Sequence, residues 1–154
     1  MKLENLTYLL EETIINAIAR FRKYDVEHSI ALIKTNIQNA YPTVEASIRD
    51  TDQIIFVNKK TFIIIYQYTP TEGARAALQN LARKLNPYNV AILTLIHTRI
   101  YDSDINADPV IRRIHTMLEA HENENGLYTD EDFFENDRFN HIDFSYCFTS
   151  SKYN

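Results

Sequence analysis

Apolar residues recur at spacings of three and four along the first part of the chain, as they do on the buried face of an α-helix. Basic residues follow in "RFRKYD", where positive charge is favourable at the C-terminal end of the helix dipole. The pattern predicts a first helix over residues 3–23, with these positions on its apolar face: Leu3, Leu6, Leu10, Ile14, Ala17, Ile18 and Phe21.

Shorter apolar runs further along the chain have the length of strands. "HSIALIKT" (28–35) and "NVAILTLIHT" (89–98) are mostly apolar and are predicted to form buried strands. Between them, the apolar runs 53–57 and 61–66 flank "NKK", which is typical of a β-hairpin whose turn begins at Asn58.

Three further helices are indicated by start signals and helix-forming residues. A short helix is predicted within "YPTVEASIRD", beginning at Pro42 or Thr43. Another is predicted over residues 69–85 with a threonine cap, and a last one from about Asp108 with Pro109 near its first position. The resulting order, α β α β β α β α, is a mixed α/β pattern rather than a strict alternation.

The last part of the chain has a different pattern. Residues 127–140 are acidic and aromatic and are predicted to form a surface loop. Apolar and polar residues then alternate over "HIDFSYCFTS" (141–150), and this period of two predicts one more strand with a single apolar face. We therefore predict a domain over residues 1–126 and an acidic, aromatic C-terminal extension over residues 127–154.

Composition and charge limit the classes of function. The chain has 154 residues, 45% of them hydrophobic, so one domain with a proper core is expected. The net charge is −5; the extension contains six acidic and two basic residues, which leaves 15 acidic and 14 basic residues in the body. Neither part carries the basic stripe of a non-specific nucleic-acid binder, so no nucleic-acid partner is predicted.

Other sequence features bear on location and cofactors. No apolar run is long enough for a membrane span and the N-terminus is too acidic and polar for a signal peptide, so a cytoplasmic protein without membrane insertion is expected. Cys147 is the only cysteine, which excludes an intramolecular disulfide and a multi-cysteine zinc site. The five histidines are scattered, and no metal site is predicted from them.

The order and the amino-acid sequences of these segments resemble those of the GGDEF domain of bacterial diguanylate cyclases. "AIARFRKYDVEHSIALIKTN" is similar to that family's first helix and strand, and "SIRDTDQIIFVNKKTFIIIY" to its inhibitory-site segment and signature hairpin. "TPTEGARAALQNLARKL" and "NVAILTLIHT" are similar to the helix and strand that follow. The resemblance covers residues 10–122 and implies an α/β fold with a mixed, largely antiparallel central sheet flanked by helices, related to the palm of nucleotide cyclases and polymerases.

The signature turn of the family falls on residues that lack its chemistry. By the resemblance, its five positions correspond to Asn58, Lys59, Lys60, Thr61 and Phe62, and only the phenylalanine is retained. The family's two glycines let the backbone approach the nucleotide, and its acidic pair helps to hold Mg²⁺. Both features are replaced here, so the resemblance implies a degenerate signature.

A second metal position is also changed. The acid that the family places at the end of its first strand corresponds to Lys34. Nucleotidyl transfer needs metal ions held by carboxylates. A unit charge pair at about 4 Å interacts by roughly 4 kcal/mol at an effective dielectric of ~20, so Lys34 and Lys60 are expected to repel Mg²⁺. We therefore predict no enzymatic activity, no catalytic residue, no bound metal and no cofactor.

One part of the family's ligand chemistry is retained in position. Arg49 and Asp52 precede the signature turn by the spacing of the family's inhibitory site, which, the resemblance implies, binds cyclic di-GMP. A guanidinium group can pair with guanine O6 and N7, and a carboxylate can accept from the guanine N–H groups. The family site also draws an arginine from the neighbouring helix, for which Arg83 is the nearest candidate and Arg75 the second.

These residues also have a simpler interpretation, as a local ion pair at a helix end or a capped turn. Arg-x-x-Asp occurs again at residues 22–25 and 99–102, so only position distinguishes the first pair. Lys34, Lys59 and Lys60 likewise either bind an anion in the former active-site cleft or are simply solvated.

The sequence thus predicts a catalytically inactive, GGDEF-like regulatory or protein-interaction module. Its protein partner is unknown and is expected to bind through the first helix or the extension. The alternative is a cyclic di-GMP receptor that uses Arg49, Asp52 and Arg83. Only the receptor interpretation predicts that Arg49→Ala abolishes binding of the dinucleotide.

Overall fold

A computed structural model describes residues 1–130, which contain four helices and five strands. In chain order these are α1 Leu3–Tyr24, β1 Ser29–Thr35, α2 Ala40–Ser47, β2 Gln53–Asn58, β3 Thr61–Tyr66, α3 Thr71–Leu85, β4 Leu93–Arg99, α4 Ala107–Ala120 and β5 Gly126–Thr129. No helix in this part of the chain is long and apolar enough to cross a membrane.

The strands form one mixed sheet with β1 at its centre. The spatial order is β2-β3-β1-β4-β5. β1 pairs antiparallel with both β3 and β4, β2 pairs antiparallel with β3, and β5 runs parallel to β4. This largely antiparallel sheet with flanking helices confirms the predicted fold class.

The two faces of the sheet carry separate hydrophobic cores. Side chains alternate along β1, so Ile30 and Leu32 pack with α1 and α4, whereas Ala31 and Ile33 pack with α2 and α3. Burying a leucine or isoleucine side chain stabilises the fold by about 1.5–3 kcal/mol. The central strand therefore stabilises both layers at once, which explains its nearly continuous apolar sequence.

The first eight elements agree in order with the predicted ones, but several boundaries differ. α2 begins at Ala40, two or three residues before the predicted start at Pro42 or Thr43, and Pro42 lies in its first turn. A proline is tolerated there because the first backbone N–H groups of a helix have no intrahelical acceptor. β4 begins only at Leu93, since Asn86 holds the preceding loop by two side-chain bonds to the backbone of Ala91.

The predicted threonine cap of α3 is wrong. Pro70 occupies the N-cap position and makes no side-chain cap bond. The hydroxyl of Thr69 instead donates to the Gln67 carbonyl oxygen at 2.8 Å. α4 begins at Ala107, one residue before the predicted position, and is capped by Asn106 through the backbone N–H of Asp108.

β5 is the element that the sequence pattern missed. The predicted surface loop from residue 127 is wrong at its start, because Gly126–Thr129 pairs with β4 in the sheet. Leu127 and Tyr128 are buried on opposite faces. The predicted boundary between residues 126 and 127 stays a prediction, although β5 spans it. The predicted strand over 141–150 lies outside the described residues.

Candidate functional site

The end of β1 and the tip of the β2–β3 hairpin lie side by side. Lys34 is the register partner of Thr61 on one side and of Thr94 on the other. The backbone N–H of Thr35 donates to the Lys60 carbonyl oxygen at 2.9 Å. The positions that the resemblance assigned to metal acids therefore do meet at one end of the sheet.

The hairpin turn is closed without glycine. The side-chain oxygen of Asn58 accepts the backbone N–H of Lys60 at 2.8 Å. The register shifts between Phe56 and Asn58, which is a bulge that adjusts the strand twist to the turn. Lys59 and Lys60 keep negative φ angles. A short turn thus presents two lysine side chains at the position of the family signature.

The residues at this position do not fit a magnesium ion. Lys34 Nζ lies 2.6 Å from Glu122 Oε1, so an ammonium group already occupies this carboxylate. The hydrogen bond from Lys34 and its charge hold the pKa of Glu122 below its usual value. Within residues 1–130, no group of three or more histidine, cysteine, aspartate or glutamate side chains is placed to hold a metal. Mg²⁺ prefers carboxylate and water oxygens, not ammonium groups.

Two clefts open beside these lysines and share Asn36 and Lys60. The larger has a volume of about 530 Å³ and is lined by these residues: Asn36, Ile37, Gln38, Asn39, Ala40, Tyr41, Pro42, Phe56, Lys59 and Lys60. The smaller has a volume of about 320 Å³ and is lined by these: Lys34, Thr35, Asn36, Lys60, Ile92, Thr94 and Asn123. We call the two together the lysine groove.

The segment after β1 and the loop before β4 hold the groove in place. Asn36 donates its backbone N–H to the Ile92 carbonyl oxygen at 3.3 Å and accepts the Ile92 N–H on its side-chain oxygen at 3.1 Å. On the other side, the rings of Tyr41 and Phe56 meet edge to face, with centroids 5.4 Å apart. A hydrogen bond from its hydroxyl to Glu45 raises the pKa of Tyr41.

Arg49 and Asp52 form a bidentate ion pair in the turn after α2. Arg49 Nε donates to Asp52 Oδ2 at 3.0 Å and Nη2 to Oδ1 at 2.8 Å. Asp52 Oδ2 also accepts the backbone N–H of Arg49 at 2.9 Å. These bonds raise the pKa of Arg49, and they match the simpler interpretation of the motif, an ion pair in a capped turn.

The two partners differ in how they meet solvent. The Arg49 side chain is 56% exposed and that of Asp52 is 1% exposed. Arg49 Nη2 also donates to the Gln67 carbonyl oxygen at 3.1 Å. A shallow cleft of about 280 Å³ adjoins the pair, and Tyr66 and Tyr68 form part of its wall. A ligand there meets the outer edge of the guanidinium group before it meets the carboxylate.

The predicted third member of this site is not brought to it. Arg83 lies in the last turn of α3, donates to the Asn80 side-chain oxygen at 2.7 Å, and does not line the cleft. Arg75, the second candidate, does not line it either. Burial, and after it the positive charges of Arg75 and Arg99, lowers the pKa of His97.

The sequence named the three lysines but not the other walls of their groove. Asn36, Tyr41 and Phe56 were missed because no periodic pattern marks them. Asn36 and Ile92 are 56 positions apart, and only the pairing of β1 with β4 brings them together. The available signal was the short segment between β1 and α2, because a connection of four residues keeps Asn36 and Tyr41 close to the end of β1.

Comparisons with known proteins identify the fold by structure alone. No protein-family model and no curated protein matches the sequence. The GGDEF domain of DgcB from Caulobacter crescentus, solved in complex with c-di-GMP, is 9% identical, with a TM-score of 0.67 over 78% of this chain and 87% of that one. The active GGEEF domain of a diguanylate cyclase from Vibrio cholerae is 14% identical, with a TM-score of 0.62 over 77% and 93%.

A third match points the same way. A DGC protein from Thermotoga maritima is 10% identical, with a TM-score of 0.55 over 73% of this chain and 97% of that one. At such identities the likeness concerns the course of the backbone, not the residues of the site. The chain therefore has the fold of GGDEF domains, as the sequence resemblance implied.

Proposed function

We propose that this chain is a catalytically inactive GGDEF-fold module that regulates a partner by binding rather than by turnover. In GGDEF domains, which share this fold, the resemblance implies a chemistry that depends on metal ions held by carboxylates. The observation that supports the proposal is the ion pair between Lys34 and Glu122, at the position that the sequence resemblance assigned to a metal-binding carboxylate. Lys60, whose main chain bonds to β1 beside it, adds a second positive charge.

A turnover assay tests the loss of catalysis. The full chain is incubated with GTP and either Mg²⁺ or Mn²⁺, and nucleotide products are separated by chromatography. We expect no cyclic di-GMP and no loss of GTP beyond the protein-free blank, while an active diguanylate cyclase assayed in parallel forms product. Metal-dependent product formation by this chain would overturn the proposal.

The first helix is one of the two surfaces that we propose for a protein partner. Its inner face cannot be removed, because Leu10 and Ile14 belong to the core. Its outer face exposes Tyr8 (88%) and Ile15 (48%), which are seven residues apart and so lie on one side of the helix. Two exposed apolar side chains on one side of a helix can pack against an apolar surface of a partner.

Partner capture by the full chain distinguishes this surface from the extension. One variant carries Tyr8→Glu and Ile15→Glu, and a second carries Phe133→Ser and Phe134→Ser in the extension. We expect at least one of them to lose the captured partner while the unfolding temperature of the first stays near that of the wild type. Full retention by both variants would contradict the proposed surfaces.

Cyclic di-GMP binding at Arg49 is the second candidate function. Its support is the exposed guanidinium group at the mouth of a cleft and the presence of c-di-GMP in the Caulobacter crescentus structure. Since the Asp52 carboxylate is buried beneath Arg49, a ligand that contacts both residues has to open their ion pair. This exchange costs affinity relative to a site with a free carboxylate.

Calorimetric titration of the full chain with cyclic di-GMP tests this candidate. Binding that is abolished by Arg49→Ala and unaffected by Lys60→Ala would support the receptor function through Arg49. Binding that survives Arg49→Ala would contradict it. Arg83→Ala serves as a comparison, because the structure places Arg83 away from the cleft and predicts no change.

A further inference from the structure

Within residues 1–130, β5 is the last strand in the order of the sheet, yet it is not open to solvent. All four residues of Gly126–Thr129 are buried, and so is Asp130, which is 1% exposed. A strand at the edge of a sheet normally leaves one row of backbone groups in contact with water. Among the elements of residues 1–130, β5 packs mainly on β4. The burial of its outer side therefore indicates a cover from outside these residues.

The helices cover the two faces of β5 to different degrees. On one face, Tyr128 stacks on His121 directly after α4, with ring centroids 3.6 Å apart. On the other face lie Leu127 and Thr129, where α3 packs on β4. The register pairs Thr129 with His97, which is 1% exposed although neither ring nitrogen has a hydrogen-bond partner within residues 1–130. A cover on this face therefore has to be apolar.

The chain continues from β5 with a segment of that kind. Asp130 is fixed at the end of the strand, because its carboxylate accepts a hydrogen bond from Thr98 Oγ1 and lies 3.3 Å from Arg113 Nε. Residues 131–154 therefore start at the β5 edge of the sheet. The segment "HIDFSYCFTS" in this part of the chain has apolar residues at every second position: Ile142, Phe144, Tyr146 and Phe148.

We infer that residues 141–150 dock along the outer edge of β5 as a further strand of the sheet, with their apolar row on the α3 side. Pairing with β5 gives hydrogen-bond partners to the backbone N–H and C=O groups of the segment. The apolar row covers Leu127, Thr129 and the ring of His97. The outer side of β5 is thereby closed by the chain itself.

This inference goes beyond the proposed function, because it assigns the apolar row to the protein's own sheet rather than to a partner. Residues 131–140 become the connection between β5 and the docked segment. Phe133 and Phe134 lie in this connection, outside the docked segment, so they remain available for the partner contact proposed above.

Amide hydrogen exchange of the full chain, followed residue by residue by NMR, tests the docking. Phe144→Asp places a charge in the apolar row, and Ser145→Asp adds the same charge at the neighbouring position on the opposite side. We expect the amides of Gly126–Thr129 to exchange about tenfold faster in Phe144→Asp and at the wild-type rate in Ser145→Asp. β2 lies at the opposite edge of the sheet, so its exchange should not change.

Two results of this experiment would overturn the inference. One is equal exchange of the β5 amides in the wild type and in Phe144→Asp. The other is an equal increase in β5 and β2, because that would report a general loss of stability instead of the local opening of one edge.

A nitroxide label on Cys147 provides a second measurement that needs no destabilising substitution. Cys147 is the only cysteine of the chain, so the label attaches at one position. We expect the NMR signals of Leu127 and Thr129 to broaden more than those of Ile54 and Ile55. The reason is distance, since β2 lies four strand spacings, about 19 Å, from β5. Broadening that is no stronger in β5 than in β2 would refute the docking.

A mixed sample separates the chain's own extension from that of a second copy. Isotope-labelled Cys147→Ser protein is mixed with spin-labelled protein that carries no isotope label. We expect no broadening of β5 signals in this mixture. Broadening there would show that a second copy supplies the segment, and the inference would fail. The turnover assay is independent of all these results, so a failure here is distinguishable from a failure of the proposed function.

Discussion

Arg113 of α4 holds Asp104 through two parallel hydrogen bonds, each with a nitrogen–oxygen distance of 2.7 Å. Both side chains are largely buried, at 11% and 2% exposure. The guanidinium group also reaches Thr98 Oγ1 at 3.1 Å and Asp130 Oδ2 at 3.3 Å. One arginine thus ties the end of β4, the loop after it and the residue after β5 to α4.

Arg113→Met is expected to destabilise the protein by about 3–5 kcal/mol, because it leaves the Asp104 carboxylate buried without its partner. The free energy of unfolding in urea measures this. Its neighbour provides the control: Arg112 pairs with Asp108 in the same helix, but both side chains are more than 60% exposed. Arg112→Met should cost less than about 0.5 kcal/mol. Equal losses in the two variants would show that burial does not set the energy.

His97 is predicted to make the stability depend on pH. Burial, with the charges of Arg75 and Arg99, lowers its pKa from 6.5 to about 3. His97 of the unfolded chain is therefore protonated below pH 6.5, whereas His97 of the folded protein stays neutral down to about pH 3. The stabilisation is complete above pH 6.5 and falls between these two values, by about 1.4 kcal/mol per pH unit.

Substitution of His97 isolates this effect. Between pH 8 and pH 5 the wild type should lose about 2 kcal/mol more than His97→Leu, from urea unfolding at each pH. At pH 8 the two proteins differ only by the packing change, which serves as the reference. Parallel stability curves across this range would show that His97 gains a proton in the folded state or loses its burial.

The Lys34–Glu122 ion pair is predicted to affect the titration of Glu122 far more than the stability. Lys34→Ala should raise the pKa of Glu122 toward its ordinary value, because the hydrogen bond and the positive charge that lower it are removed. Since both side chains are partly exposed, the free energy of unfolding should change by less than about 1 kcal/mol. NMR titration of the glutamate side chains follows the first quantity and urea unfolding the second. An unshifted Glu122 would disprove the contact.

Replacement of Gly126 by alanine, which adds only a methyl group, is predicted to destabilise the fold. A Cβ there would lie 2.8 Å from the hydroxyl oxygen and 2.9 Å from Cζ of Tyr128, whose buried ring is stacked on His121. Gly126→Ala should therefore cost about 1–3 kcal/mol through overpacking.

Gly73→Ala is the matched control, since Gly73 lies in α3 and its nearest neighbour would be a Thr69 methyl group at 3.2 Å. Alanine favours a helix over glycine by about 1 kcal/mol. The tight contact with the Thr69 methyl group offsets this gain, so the free energy of unfolding should change little. Thermal unfolding of both variants gives the comparison. A Gly126→Ala protein as stable as the wild type would mean that Tyr128 moves freely.

Features set by local pattern were predicted well from the sequence. α1 ends within one residue of its predicted limit because its apolar repeat is long, and the β2–β3 hairpin was found because an Asn-initiated turn separates two apolar runs. β5 was missed because four residues are too few to show a period, and because its neighbours are acidic.

Features set by contacts between distant segments were not predictable in the same way. Lys34 and Glu122 are 88 positions apart, and nothing local marks them as partners. Arg83 was expected at the Arg49 site from its place in the chain alone, and the helix carries it elsewhere. Conversely, the closeness of Lys34 to the hairpin tip was anticipated, because the resemblance supplied the strand pairing that the pattern lacked.

The arrangement around Lys34 also limits how this chain can change over time. Replacing Lys34 alone by an acid would place two carboxylates side by side with Glu122, while the ammonium group of Lys60 stayed nearby. Neither the single replacement of Lys34 nor that of Lys60 produces a set of carboxylates that could hold a metal ion. A metal-binding set at this end of the sheet would therefore require several coordinated substitutions, because no single change supplies the carboxylates and removes the ammonium groups at once.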